Sequence, residues 1–286
     1  MDSQRVFCYN GMDDTLEEAN VRTEAIIFDL DDTLLRDDLT ISADTIKTLR
    51  EASRRDIHII PASGRARESM LPFVEQIGCA ALYIACNGAE VWSPAHELMR
   101  RVSFPLEVAE EIVCFADEHA CYAQTYSGAH FYYNRADHWA ESYARASMLT
   151  GMHTPELIPF IQTHPTSKIL MMHEPVVIAE MLREARRRFA GRASATCSKP
   201  YFLEFNPPEA TKGLALSWCA ERLGFDPERA IAFGDSLNDL SMLLTAGTGV
   251  CVANAREDVR MQVRRVCGSN QEDGVARYIQ EHVLND

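Results

Sequence analysis

The sequence lacks a long apolar run. Its longest unbroken stretch, Cys79 to Cys86, covers eight residues, whereas a helix that crosses a bilayer needs about 20. No membrane-spanning helix is expected. Positive charge is scarce too: 28 Lys and Arg stand against 42 Asp and Glu, for a net charge of −14. A general nucleic-acid binder needs a positive field to neutralise phosphates, so nucleic acid is a poor partner for this chain. The P-loop pattern GxxxxGK[ST] is missing, which excludes that way of cradling a nucleotide. Nine cysteines form no CxxC pair and no His cluster joins them at zinc-finger spacing, so a structural zinc site is not expected. An odd cysteine count without a secretion signal suits reduced thiols in the cytoplasm, and all nine read as structural. Residues 1–20 carry five acids and one base, Arg5, with no apolar period. They read as an N-terminal tail over 1–21, unlike a signal or transit peptide.

What is present fits a folded protein. Hydrophobic residues make up 47% and charged residues 24%, as in ordinary globular chains. A length of 286 residues suits one large domain or two modest ones. Ala25-Ile26-Ile27-Phe28 is a short apolar run of the kind that makes a fully buried strand. It stops at Asp29-Leu30-Asp31-Asp32-Thr33. Ser42 is placed to cap a helix through about Arg54, with Ile46 and Leu49 facing inward. A second strand at 57–60 leads into Pro61-Ala62-Ser63-Gly64-Arg65. A helix over about 66–77 and a strand over 81–85 then end at Asn87-Gly88-Ala89. Strand alternating with helix is the pattern of a parallel sheet with crossover helices.

Between Ala89 and Pro207-Pro208 the pattern changes. Short aromatic strands are expected at 90–92, 121–126 and 130–134, and further strands at 168–172 and 201–206. Helical periodicity marks 106–119, 136–148 and 175–189. This mixture reads as an inserted α+β domain over 89–207, with hinges near Ala89 and Pro207-Pro208. The alternating pattern then resumes: a helix at 211–223, a strand at 230–233 ending in Gly234-Asp235, and a strand at 249–252. The expected fold is α/β, a Rossmann-like doubly wound core built from 22–88 and 208–286.

Ligands of such sheets bind beyond the carboxyl ends of the strands. Those ends gather Asp29, Asp31 and Asp32, then Ser63 and Gly64, then Lys212, then Asp235, Asn238 and Asp239. Clustered carboxylates repel one another unless a cation sits among them. Oxygen donors without His or Cys suit a hard ion such as Mg²⁺, which keeps part of its shell for water and phosphate. A lysine and a hydroxyl beside it complete a constellation for phosphoryl transfer.

These residues resemble the haloacid dehalogenase superfamily. Asp29-Leu30-Asp31-Asp32-Thr33 matches its DxDxT signature. Ser63-Gly64-Arg65, Lys212-Gly213 and Gly234-Asp235-Ser236-Leu237-Asn238-Asp239 resemble its second, third and fourth motifs, in order. Asn87-Gly88-Ala89, Met242-Leu243, and Ser269-Asn270 leading to Glu272-Asp273-Gly274-Val275-Ala276 are similar to the Cof-type branch, with its sugar-phosphate phosphatases. Asp29 and Ser63 lie 34 positions apart, too few for a cap, whereas Ser63 and Lys212 lie 149 apart. The resemblance therefore implies the larger C2-type α/β cap, inserted after the third strand.

It also implies roles. Asp29 would be the nucleophile that accepts the phosphoryl group, and Asp31 the acid and base. Leu30, Ser63, Gly64, Arg65, Asn87, Lys212 and Asn238 would hold phosphate or substrate. Mg²⁺ would sit among Asp29, the backbone carbonyl of Asp31, and Asp235, with Asn238 and Asp239 as further ligands or orienting groups. The function so implied is Mg²⁺-dependent hydrolysis of small phosphorylated metabolites, sugar phosphates foremost, by a cytoplasmic monomer or homodimer. A phosphomutase on sugar phosphates competes with it, as does a non-catalytic binding protein on the same scaffold. Cap residues such as Tyr132 and Glu204 are expected to bear on substrate choice.

Overall fold

A computed structural model describes residues 22–285; the expected tail over 1–21, with Cys8, lies outside them. Strand β1 (Ala25–Phe28) is buried on both faces, as an unbroken apolar run requires. Ser42 caps α1 (Ala43–Arg54), its hydroxyl accepting the Thr45 N–H at 3.0 Å. Strand β2 (His58–Pro61), α2 (Arg67–Ile77) and β3 (Tyr83–Ala85) follow, then the strands β4 (Glu90–Trp92) and β5 (Leu98–Arg101). The middle of the chain forms α3 (Leu106–Glu118), β6 (Tyr122–Ser127), β7 (His130–Tyr133), α4 (His138–Ser147) and β8 (Thr150–His153). It continues through α5 (Leu157–Ile161), β9 (Ile169–Met172), α6 (Pro175–Arg188), β10 (Ser194–Thr196) and β11 (Phe202–Asn206). The last part holds α7 (Lys212–Leu223), β12 (Ala230–Gly234), α8 (Leu240–Thr245) and β13 (Thr248–Cys251). It closes with α9 (Glu257–Arg260), β14 (Arg265–Val266) and α10 (Gly274–Ile279).

Among the described residues, β14-β13-β12-β1-β2 form a sheet in which every neighbour is parallel. Single parallel bridges, Ile59 with Ala80 and Ala62 with Ile84, lay the third strand against β2. The fold is the α/β arrangement expected, with the doubly wound sheet at its centre. Strand β3 then pairs antiparallel with β4, and β4 with β5. Val91, Trp92 and Met99 pack into the same hydrophobic core as β1 and β12. The sequence reading had only a strand at 90–92 and put it in the insertion over 89–207. Its hydrogen bonds and packing put it with the first core instead, so the chain leaves that core after Arg101. Ala89 is fully buried and accepts the Val102 N–H, which moves the first crossing away from it.

A second core begins at Phe104. Strands β10-β11-β9-β6-β7-β8 make a six-stranded sheet, antiparallel except for the parallel β7–β8 pair. Helices α3, α5 and α6 contribute apolar side chains to one of its cores, while α4 packs with Tyr122, Leu170 and Met172 in another. Strands β5, β8 and β10 and helix α5 were not anticipated; each spans five residues or fewer, too short for a period to show. Phe131 and Leu149 meet Ala66, Cys86, Ala89 and Ala210 in a small cluster that joins the two parts.

Candidate active site

The polar side chains of the site are placed by strand ends and by the start of a helix. The Asp29 N–H donates to the Phe233 carbonyl at 3.0 Å, continuing the β1–β12 ladder past the strand. Asp32 takes a left-handed conformation, with φ 58°, and turns the chain sharply. Asn254 donates to the Asp32 carbonyl at 2.7 Å, and Asn270 donates to Leu35 and, through its backbone N–H, to Asn254. These amides strap the aspartate loop to the C-terminal segment. At the end of β12, a Cβ on Gly234 would meet the Asp239 side chain at 2.5 Å, so glycine there makes room for that carboxylate. Gly88, at φ +99°, lies so close to the Thr211 carbonyl that a Cβ would overlap it at 2.2 Å. That contact brings the Asn87 turn against the start of α7. Thr211 caps the helix through the Leu214 N–H at 3.1 Å, which puts Lys212 in its first turn.

Lys212 is fully buried and joins two carboxylates. Its Nζ donates to Asp29 Oδ1 and to Asp239 Oδ1, each at 2.5 Å. The other Asp239 oxygen accepts the N–H groups of Asp235 and Ser236, both at 3.1 Å. Thr33 Oγ1 donates to Asp235 Oδ1 at 3.1 Å. Burial pushes the Asp29 carboxyl well above the usual carboxylate range, Lys212 pulls it back, and Asp239, Asp235 and Asp31 push it further up. Burial and the neighbouring Asp239 likewise push Asp235 up to about 7, against the pull of Lys212 and Thr33. Burial works against the Lys212 charge, but Asp239 and Asp29 outweigh it and hold the ammonium above its ordinary range.

The cluster fits a divalent cation. Carboxylate oxygens of Asp29, Asp235 and Asp239 all lie within 4.8 Å of one another, and burial first, then mutual repulsion, raises Asp29 and Asp235 when no cation separates them. All three donors are oxygen, the set that suits a hard ion. Asp239 is already engaged at both oxygens. Asp29 and Asp235 each keep a second oxygen beyond the bonds to Lys212 and Thr33.

The other expected residues fall around this centre in distinct ways. Asp31 forms a bidentate pair with Arg65, its oxygens accepting from Nε at 2.7 Å and from Nη2 at 2.6 Å. Arg65 therefore engages the acid–base candidate directly. Ser63 is buried, and its Oγ accepts the Arg65 N–H at 3.1 Å. Leu30 is buried in the first core. Asn238, expected beside a metal, commits its oxygen to Ser236 Oγ at 2.7 Å and its amide to Asn87 Oδ1 at 3.0 Å. Asn87 in turn donates to Asn206 at 3.2 Å, so the loop after β12 is linked through Asn87 to the end of β11. Thr33, Asn254, Asn206 and Arg65's grip on Asp31 carry structural work that the sequence did not announce.

The two cap residues singled out in the sequence lie within the cap's own packing. Tyr132 stacks on Phe160, with ring centroids 4.1 Å apart, and packs against the second core. Glu204 is buried against Lys168. Other cap side chains reach the core: Lys168 Nζ donates to the Gly64 carbonyl at 3.0 Å, Tyr143 packs in the cluster with Ala66 and Cys86, and Lys199 pulls down, to a small degree, an Asp32 carboxyl that burial and its neighbours Asp31 and Asp37 raise.

Comparison with known proteins places the chain in a family. The haloacid dehalogenase-like hydrolases match the chain over residues 26–279, and the chain belongs to that family. A 5-amino-6-(5-phospho-D-ribitylamino)uracil phosphatase of Bacillus subtilis is 27% identical over 94% of this chain and 100% of its own length. An HMP-PP phosphatase of Serratia proteamaculans is 27% identical over 88% of this chain and 93% of its own. The crystal structure of a haloacid dehalogenase-like hydrolase from Bacteroides thetaiotaomicron superposes with a TM-score of 0.83 at 29% identity, covering 91% of this chain and 99% of that one. Family and relatives together define a phosphoric monoester hydrolase. No helix among the described residues is long and apolar enough to cross a membrane.

Proposed function

We propose that the protein hydrolyses small phosphorylated metabolites, sugar phosphates foremost, through an aspartyl-phosphate at Asp29 and with Mg²⁺. The observation that carries this reading is Lys212, fully buried with its ammonium between Asp29 and Asp239 while Asp235 stands within a few ångströms. Such a lysine keeps one Asp29 oxygen in place and offsets the charge that gathers when an anionic nucleophile meets an anionic phosphate. Asp29 and Asp235 would hold the ion, which supplies further charge neutralisation at the phosphate oxygens. An Asp29 oxygen bonds to phosphorus while the bond to the leaving oxygen breaks, and water later cleaves the acyl phosphate. Ser63 Oγ already accepts the Arg65 N–H, so its own proton is available to a phosphate oxygen. In the described arrangement Arg65 occupies both Asp31 oxygens. Delivery of a proton to the leaving group requires that pair to open.

Residues 104–206 act as the cap and the two flanking segments as the catalytic core. Lys199 and Tyr143 are the cap groups placed to meet the part of the substrate that is not phosphate. Two relatives are named for different phosphorylated compounds, which fits one core serving several caps. Buried free thiols at Cys86, Cys121, Cys219 and Cys251 suit the reducing cytoplasm. Phosphate release is the test, measured over sugar phosphates, nucleotides and pyridoxal phosphate, with Mg²⁺ or excess chelator. Release that requires Mg²⁺ and disappears in Asp29→Asn is the expected result. A folded, Mg²⁺-supplied protein that cleaves none of these esters would overturn the reading.

A further inference from the structure

We infer that Lys168, held by Glu204, is a positioning residue for catalysis: it fixes the Gly64–Arg65 peptide and thereby aims the Ser63 hydroxyl. The inference rests on the role proposed above for Ser63. It starts from where the three carbonyls of the Ser63-Gly64-Arg65 turn find their donors. The Ser63 carbonyl accepts the Asn87 N–H at 3.0 Å, and the Arg65 carbonyl accepts the Cys86 N–H at 2.8 Å. Both donors lie in the neighbouring turn of the core. The middle carbonyl, Gly64, accepts from Lys168 Nζ at 3.0 Å, and Lys168 belongs to the cap, immediately before β9.

The Gly64 carbonyl and the Arg65 N–H are the two ends of one planar peptide unit and point in opposite directions. Drawing the carbonyl toward Lys168 therefore drives the N–H the other way, where it donates to Ser63 Oγ at 3.1 Å. An oxygen that accepts there has its own proton left to donate. The lysine thus acts on Ser63 through a rigid lever of one peptide bond.

The ion pair makes little sense as a stability device. Lys168 and Glu204 are each 5% exposed, and a buried pair of this kind is often no more stabilising than apolar residues of the same size. Burial opposes the Lys168 charge, and Glu204 more than compensates, so the ammonium persists across neutral pH. Glu204 interrupts the apolar run Phe202-Leu203-Glu204-Phe205 of a strand that is otherwise buried. A charge retained at that position is explained by its third partner, the Gly64 carbonyl.

The test combines Lys168→Met, Ser63→Ala, their double variant, and the neutral pair Lys168→Gln with Glu204→Gln, whose amide can still donate to Gly64. Three quantities are read: kcat on p-nitrophenyl phosphate, affinity for orthovanadate, and hydrogen exchange at the Arg65 amide. Lys168→Met is expected to lower kcat and vanadate affinity about tenfold, with KM changed far less. The same change should cost little once Ser63 is Ala, because the two act through one path. The double Gln variant should recover most of the loss, and Arg65 exchange should quicken in Lys168→Met while staying slow in the double Gln variant. Additive losses in the double variant, or a lowered Tm with kcat and Arg65 exchange unchanged, would overturn the inference. Exchange does not depend on turnover. A protein that cleaves no ester but still shows the Arg65 effect would refute the proposed activity and leave the lever standing.

Discussion

The two sheets of this protein solve the same packing problem in opposite ways. The core sheet is parallel, its central strands are buried on both faces, and its key charges stand past strand ends or, for Lys212, in the first turn of a helix. The cap sheet is mostly antiparallel and carries its polar groups within the strands: Gln124 bonds to the hydroxyls of Tyr122 and Tyr126, and Tyr126 to Tyr143. A strand end can be held by a loop from each side, so charges there can be pinned to one geometry. Hydroxyls on a sheet face are held by one another and can be exchanged singly. The difference teaches where chemistry and selection are separable.

The sharpest test of that separation is Asp29→Asn, which leaves Lys212 an acceptor but removes the proposed nucleophile. Activity on every substrate should fall by at least about a thousandfold, with the circular dichroism spectrum unchanged. A loss confined to some substrates would break the division between core and cap. Next in size is Asp235→Ala, for which Mg²⁺ affinity of the metal-stripped protein should drop about a hundredfold, read by calorimetry. Cap variants should leave that affinity alone.

Titration of the core gives a third prediction. In the metal-free fold Asp235 binds its proton up to about pH 7, whereas in an unfolded chain an aspartate releases it near about pH 4. The folded state holds the proton more tightly, so this stabilisation is complete below the lower value and is lost as pH rises through the higher one. Asp29, also raised, acts in the same direction. Metal-stripped protein should therefore lose about 3–6 °C of Tm between pH 5 and 8, recover it with Mg²⁺, and lose much of the slope in Asp235→Asn. Differential scanning calorimetry across pH reads all three.

The smallest effects lie in the cap and divide its two faces. Tyr143→Phe should change the ratio of kcat/KM between a sugar phosphate and p-nitrophenyl phosphate by roughly threefold. Tyr132→Ala, which removes a ring stacked on Phe160, should lower Tm and leave those ratios unchanged. The reverse outcome would mean that the substrate meets the face of the cap covered by α3, α5 and α6.

The core was legible because its signals are local and redundant. Four apolar runs each break at a polar cluster, and buried strands tolerate such clusters only at their ends. Asp29, Lys212 and Asp235 could be listed together from order and spacing, and the fold brings them together. The hairpin at 90–101 was not seen, only the strand at 90–92, because pairing partners leave no mark in a three-residue strand. Asn87 could be read as a turn residue, but its bonds to Asn206 and Asn238 join segments far apart in the chain. Lys168 was read only as the first residue of a strand over 168–172, with no role of its own. Its one sequence signal is the charged Glu204 isolated among apolar neighbours, a cue that some buried cation must answer it.

The pairing of β1 has a consequence in time. Ala25 lies beside Ala230, so the central strand of the core waits for a neighbour made after the whole cap has been synthesised. The second core is contiguous, from Phe104 to Phe205, and has every partner it needs once that stretch has left the ribosome. Chains fold as units in order of emergence, and contacts distant in sequence close late. Asp29 is among the first residues in the fold to be made, yet its lysine, its companion carboxylates and the Asn254 and Asn270 straps all arrive in the final third. A nascent chain therefore carries a finished specificity module and an unassembled reactive centre. The enzyme cannot touch the phosphorylated pool around it until its own synthesis is nearly done.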